Sequence, residues 1–190
     1  MKFYIGSLLI FFNLILNFTN SYCQTKDDSN SDAITYEQKQ AIFRNYFWNN
    51  LPKPTRWTND YEGLYSERQK DALDSLIKSF KDYSGIEIII VTVDSMYVAK
   101  EKINQLTVHF LKTWKVDQQS RKNIVLIGIC SGYGMVSMQN GDSIKKLLSR
   151  DETRDIIENY FIPYFKVGDF YEGTSNGLIK LMEALIDKKN

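Results

Sequence analysis

The sequence predicts an α/β fold, a three-layer α/β/α sandwich around a mixed, mostly parallel central sheet. Two runs, IEIIIVTVD (86–94) and NIVLIGIC (123–130), are apolar on both faces, as parallel strands covered by helices must be. Between them Ala99, Ile103, Leu106, Phe110 and Trp114 form one helical stripe, so the chain leaves one strand and returns to the next through a helix. A right-handed crossover of this kind places helices on the sheet. Further helical patterns precede and follow the strands, and no internal repeat is visible.

The elements follow in order. Residues 24–33, QTKDDSNSDA, are polar without an apolar period and read as a disordered spacer. From Tyr36 to Trp48, Ala41, Ile42, Tyr46 and Phe47 share a face, predicting a short helix. Pro52 and Pro54 then force an extended segment, and the compact domain is expected to begin near Leu51 and to run over 51–190. Ser66 and Gln69 have the spacing of a capping box. Behind them Ala72, Leu73, Leu76, Ile77 and Phe80 mark an amphipathic helix that ends before Gly85. After the second strand, SGYG (131–134) reads as a hairpin turn, MVSMQ (135–139) as an antiparallel return, and Asn140-Gly141 as its close. Three helical patterns finish the chain: Ser143–Leu148, Asp151–Phe161 with Pro163 as its stop, and Tyr171–Ile186.

Composition narrows the function classes. The chain has 190 residues, with 24 Lys and Arg against 23 Asp and Glu. Its first residues pair Lys2 with an apolar block from Phe3 to Phe18, the form of a secretory signal peptide. Ser21 and Cys23 suit a cleavage site, so residues 1–23 are expected to be removed and the mature chain to start near Gln24. A lipoprotein and an uncleaved anchor are the lesser readings. Without the leader the charges balance, leaving no electrostatic footprint for nucleic acid or an anionic membrane. The roughly 165 remaining residues suit one core. Only Cys130 remains after Cys23, so no intramolecular disulfide is expected. The protein is expected to be exported, soluble, and periplasmic or held at the cell envelope.

Three stretches carry a family likeness. LPKPTRWTNDYEGLYSERQKDALDSLIKSF, GIEIIIVTVDS and YFIPYFKVGDFYEGTSNGLIKLM resemble the TPM domain family over about Leu51 to Leu185. Most specific are the opening Asp-x-x-Gly-x-Leu/Tyr-Ser motif and the closing Pro-x-Phe-x-x-Gly-Asp-x-x-x-Gly motif. The family includes thylakoid-lumen proteins linked to photosystem II repair, a membrane protein modulating acetylcholine receptors, and many exported bacterial proteins. The likeness implies the same α/β/α sandwich. The middle departs from the pattern. Asn123 is kept without the glycine that usually follows it, the loop after the return strand has one glycine (Gly141), and Arg150 stands where an acid is usual, with Asp151 one place later.

Family members are described as calcium-binding domains, as acid phosphatases and as partners of membrane complexes, and bacterial members often accompany LemA-type membrane proteins. The resemblance therefore implies a calcium or magnesium site, with Asp60, Asp94, Asn123, Asp142 and Asp151 as the candidate ligands. Hard cations take several oxygens from separate loops, and Asp94 ends a parallel strand, where ligands of open α/β sheets gather. Each residue also has a plainer use: Asp94, Asp142 and Asp151 as helix caps, Asp60 in a turn. Glu62 is expected to face water ahead of the capped helix.

Phosphatase chemistry, on phosphate monoesters, has less behind it in the residues. Cys130 ends an apolar strand as a small hydrophobe, and His109 packs at a helix edge. Arg121 and Lys122 offer charge for an anion but sit at a strand start. The aromatics Tyr160, Phe161, Tyr164, Phe165, Phe170 and Tyr171 crowd the last loops, where an exposed fraction would make a partner surface. Gly173 and Gly177 let another backbone approach, with packing inside the chain as the plainer use. The expected function is a binding or accessory module at the cell envelope with a divalent cation; a metal-dependent acid phosphatase is the alternative.

Overall fold

The structure, a computed structural model, describes residues 34–114 and 120–189. The expected signal peptide, 1–23, and the expected spacer, 24–33, lie outside the described residues. One compact unit runs from Tyr36 to the end of the chain. It opens with α1 (Tyr36–Asn49), earlier than Leu51, because α1 ends in aromatic contacts with the core. Phe47 stacks on Tyr97 at 4.9 Å between ring centroids and meets Phe110 edge-on at 6.1 Å.

Among the described residues four strands form the sheet, in the order β1 (Thr58–Asp60), β2 (Glu87–Thr92), β3 (Ile124–Cys130), β4 (Met135–Asn140). β1 and β3 flank β2 in parallel, and β4 returns antiparallel to β3. The sheet is therefore mixed and mostly parallel, with helices on both faces. On one face α2 (Glu67–Ser84) and the C-terminal helices enclose Ile88, Ile90, Val125 and Ile127. On the other, α3 (Ile103–Thr113) covers Ile89, Val91 and Leu126, with Phe47 and Trp48 of α1 against it. The crossovers β1–α2–β2 and β2–α3–β3 step the same way across the sheet but lie on opposite faces. They therefore have opposite hands, and only one is the expected right-handed unit.

β1 is not expected from the sequence, which suggests a turn at Asp60. Three residues, Thr-Asn-Asp, carry no apolar pattern; side chains fix the strand instead. The Thr58 N–H donates to Asp74 Oδ1 of α2 at 2.8 Å, and Arg56 Nε reaches Asp74 Oδ2 at 2.6 Å. The Asp74 hydrogen bond holds the Arg56 guanidinium charged, its pKa above the ordinary value despite the opposing cost of burial.

α2 starts as expected. Ser66 Oγ accepts the Gln69 N–H while the Gln69 side chain accepts the Ser66 N–H, and Gly85 closes the helix in the left-handed region (φ 70°). A second capping box, Ser149 with Glu152, opens α5 (Arg150–Ile156) beyond the four-residue α4 (Ile144–Leu147).

Pro163 does not stop the penultimate helix. A π-helical turn, Ile157–Phe161, intervenes before α6 (Ile162–Phe165). The proline sits in the first turn of that segment, where its missing N–H costs little. The aromatics after it turn inward. Phe161 and Phe165 are buried, Phe170 stacks edge-on against Phe165 at 5.1 Å, and Tyr160 and Tyr171 are partly covered. Tyr164 alone of the six is exposed, so the expected aromatic partner surface is mostly core.

Gly173 and Gly177 lie where α7 (Phe170–Lys189) crosses this cluster. A Cβ on Gly177 would fall inside the Phe161 ring's van der Waals surface, and one on Gly173 would lie 2.7 Å from Phe165. Both glycines serve packing within the chain. Gly177→Ala is expected to cost about 1–3 kcal/mol by overpacking, read as a lower urea midpoint with an unchanged slope. An unchanged midpoint would show that the Phe161 ring relaxes at no cost.

Candidate functional site

Three chain turns meet at the C-terminal ends of the parallel strands: residues 60–65 after β1, 94–97 after β2, and 131–134 after β3. The first is organised by the Asp60 carboxylate. Its Oδ1 accepts the N–H of Gly63 and of Leu64, each at 3.0 Å, and the Thr92 hydroxyl at 2.5 Å. Its Oδ2 accepts the Tyr65 N–H at 2.9 Å. Four donors on two oxygens use roughly the acceptor capacity of a carboxylate. Asp60 is a turn clamp, and its oxygens are committed within the chain.

The same network places Glu62. Thr92 Oγ1 accepts the Glu62 N–H at 3.0 Å while donating to Asp60. The Glu62 side chain then crosses to the third turn. The Ser131 N–H lies 3.2 and 3.1 Å from its two oxygens, and the Ser131 hydroxyl donates to Oε1. Glu62 is half-buried rather than facing water. Sequence reasoning missed it, and its position two residues past the turn clamp gives no signal that it should bridge to a turn 69 residues away.

Glu62 titrates above the ordinary glutamate range. Burial is the main cause, donors from Ser131 oppose it, and the negative charge of Asp94 adds to the rise. Asp94 takes the Met96 N–H on Oδ1 at 2.7 Å; its Oδ2 has no bond among the described residues. The second and third turns touch: a Cβ on Gly132 would lie 2.8 Å from Ser95 Oγ, and the Tyr133 hydroxyl donates to the Ser95 and Val98 carbonyls at 3.3 and 3.2 Å. Glu62 and Ser131 thus join the first and third turns, with the Asp94 charge near enough to act on Glu62. This acidic meeting of turns is the crevice that an open α/β sheet forms at its strand ends.

The five sequence-derived candidates do not come together. Asp60 and Asp94 lie at the C-terminal end of the parallel strands, paired through Asp60↔Thr92. Asn123 precedes β3, and Gly141 bonds back to Ile124, so Asn123 and Asp142 are at the opposite end. Asp151 is there as well, since Asn140 Nδ2 donates to Thr153 in the same helical turn. A six-residue strand separates the ends by about 17–20 Å. Asp142 and Asp151 are exposed and pair with Lys145 and Arg154 at 3.0 and 2.7 Å. Ser149, not Asp151, caps α5. Among the described residues no three acidic, histidine or cysteine side chains gather as a metal-holding group.

The candidate nucleophile and base are engaged elsewhere. Cys130 is buried, and burial, with the Glu62 charge next, pushes its thiol up to about 11. His109 stacks on Trp48 with ring centroids 4.4 Å apart, and its Nε2 lies 2.8 Å from the Trp48 carbonyl oxygen. Lys122, exposed at the start of β3, is at the far end from the crevice.

The sequence profile of the TPM domain matches residues 58–184. The chain belongs to the TPM-domain family. The fold agrees: the N-terminal domain of a protein from P. gingivalis, solved by NMR, superposes with a TM-score of 0.63 at 23% identity, over 70% of this chain and 83% of that one. The BA42 protein of the psychrophilic bacterium Bizionia argentinensis gives 0.58 at 20% identity, over 67% and 86%. The N-terminal domain of the cg2496 protein of Corynebacterium glutamicum gives 0.50 at 13%, over 74% and 84%. A comparison with curated proteins finds no match. The TPM profile starts at Thr58, the first residue of β1, so α1 lies outside the matched region.

Within the TPM crevice, Asp94→Asn is expected to lower the Glu62 pKa by removing a like charge, followed as the carboxyl carbon shift in a pH titration. Glu62 is an acid raised on folding, so its effect on stability is fully present at low pH. That effect is lost as pH rises from the ordinary glutamate value through the folded one. Stability relative to Glu62→Gln should therefore fall across that window, and a flat difference would contradict the raised titration.

Proposed function

We propose that this TPM-domain chain is an exported binding or accessory module of the cell envelope, and that its acidic crevice takes a divalent cation. The observation that carries the reading is Glu62 at the strand ends, half-buried, held across to Ser131 and within reach of the Asp94 charge. The donor set suits a hard cation of calcium or magnesium type: Glu62 and Asp94, the Ser95 and Ser131 hydroxyls, and water for the remaining positions. Magnesium in particular binds through one or two carboxylates and keeps several waters. Asn123, Asp142 and Asp151 have no part in it, since they lie at the other end of the sheet, and Asp60 contributes by holding Glu62 in place.

In this reading the chain's own residues have defined tasks. Ser131 holds Glu62 across the crevice, Thr92 ties Glu62 to Asp60, and a bound cation would neutralise the Glu62–Asp94 repulsion. Export rests on the Lys2 and Phe3–Phe18 leader pattern, and a membrane complex or a LemA-type protein is the partner class the family resemblance suggests. Acid phosphatase activity remains the second reading. Its support is the same crevice, where a carboxyl raised toward the protonated form lies beside a serine hydroxyl.

Calorimetric titration of the chelator-stripped protein with calcium and with magnesium tests the site. The expected result is one weak site, with a dissociation constant on the order of 10⁻⁴–10⁻³ M, that raises the unfolding temperature and disappears in Asp94→Asn. No heat at millimolar ion, with an unmoved unfolding temperature, would end the cation reading. Hydrolysis of p-nitrophenyl phosphate at acid pH that Glu62→Gln abolishes would promote the second.

A further inference from the structure

The last strand, β4, leaves one long side of the sheet open among the described residues. β1, at the other side, is three residues long; β4 has six. The Gly141 N–H on the Ile124 carbonyl and the pairing Val125↔Asn140 through Cys130↔Met135 fix which groups face outward. Alternation in an antiparallel ladder directs the backbone of Met135, Ser137 and Gln139 to β3. It directs the N–H and C=O groups of Val136, Met138 and Asn140 to the open side, and none of these is hydrogen-bonded among the described residues.

A groove of about 820 Å³ runs along this edge. Asn104 of α3 forms one wall; the other is built from Lys145 and Leu148 and from the α5 face with Arg150 and Arg154. Open edges of this kind are usually blunted by a covering element, a proline or an inward charge. Here β4 is VSM and QN between Met135 and Gly141, with neither proline nor charge.

The charge of the groove indicates its occupant. Its lining has three cations, Lys145, Arg150 and Arg154, against one anion, Glu158. Among the described residues Lys145 and Arg154 have only exposed i,i+3 partners, which contribute little and yield readily. Arg150 is exposed and has no side-chain partner among the described residues. It begins α5, whose Thr153 is bonded to Asn140 at the C-terminal end of β4. The basic side chains therefore lie over one end of a strand whose outer edge is unpaired among the described residues.

We infer that the β4 edge captures an extended acidic peptide as a fifth strand, its carboxylates meeting Arg150 and its neighbours. Backbone pairing to Val136, Met138 and Asn140 supplies the docking, and the basic wall selects acidic sequences. The inference rests on the reading of the chain as a binding module and is independent of the acidic crevice, so neither Asp94→Asn nor cation removal affects it.

The probe is an eight-residue peptide of alternating valine and threonine ending in two aspartates, titrated into the isotope-labelled chain and followed by amide NMR. Saturable shifts are expected at the Val136, Met138 and Asn140 amides. Arg150→Ala should weaken binding several-fold and flatten its salt dependence, and Met138→Pro, tolerated at an edge, should abolish it. A version of the peptide N-methylated at alternate residues should not bind, which separates strand pairing from any misfolding of Met138→Pro. No shift at millimolar peptide, or equal binding of the methylated peptide, would overturn the inference. Two other results would also overturn it. Edge shifts that follow chain concentration without peptide would assign the edge to a second copy. Edge amides protected from exchange in the dilute chain alone would assign it to a segment of the same molecule.

Discussion

Much of the crevice end depends on one carboxylate. Asp60 takes three backbone N–H groups and a hydroxyl, and so fixes the end of β1, the turn to α2 and the tip of β2 together. Tyr65, held at the far end of that turn, sends its hydroxyl into the core to meet Thr174 of α7 at 2.8 Å. The acidic turn and the C-terminal helix are thereby coupled through a buried polar contact. A buried hydroxyl pair of this kind contributes little net but is costly to break on one side only. Glu62 inherits its direction from the same clamp, because its N–H and the Asp60 carboxylate share Thr92 Oγ1. Substitution at Asp60 would thus move Glu62 without touching it.

The sheet divides the labour of the molecule. At its parallel end three turns converge, as open α/β sheets dictate, and they bring like charges together. At its antiparallel side the outer edge of β4 is unpaired among the described residues and lies beside cations. The first arrangement suits a small positive ligand and the second a negatively charged chain. Packing allows both because the two cores lie above and below the sheet, so that turns meet at its parallel end and a groove remains along β4.

How far the sequence reveals this depends on the range of the interaction. The layers, the strand pair Glu87–Thr92 and Ile124–Cys130, the hairpin return and the Ser66–Gln69 cap are written in local patterns, and all are present. Features that depend on distant partners are not legible. β1 is polar and exists because Asp74, sixteen residues on, takes its Thr58 N–H. The π turn before Pro163 accommodates packing that a helix-stop rule cannot see. Asp94 was legible as a strand-end acid, whereas Glu62 was not, because its partner Ser131 lies across two strands. The family likeness groups Asn123, Asp142 and Asp151 with Asp60 and Asp94. The grouping fails on topology: Asn123 stands at the start of the parallel strand β3, and β4 runs back and carries its following loop to that same end of the sheet.

The raised titration of Glu62 bears on the proposed cation site in a way that neither observation does alone. A carboxyl that holds its proton longer must release it before its oxygens can serve a metal ion. The same burial that raises Glu62 also removes competing water, so the carboxylate, once formed, has strong need of a positive partner. Asp94 contributes with the same sign to both effects: its charge opposes ionisation of Glu62 and would attract the ion that relieves it. Cation affinity in such a crevice must therefore climb with pH across the Glu62 titration and release about one proton per ion bound at the lower end of that range. A site made of fully exposed aspartates would show neither behaviour, so the proton count distinguishes the crevice from the surface acids Asp142 and Asp151.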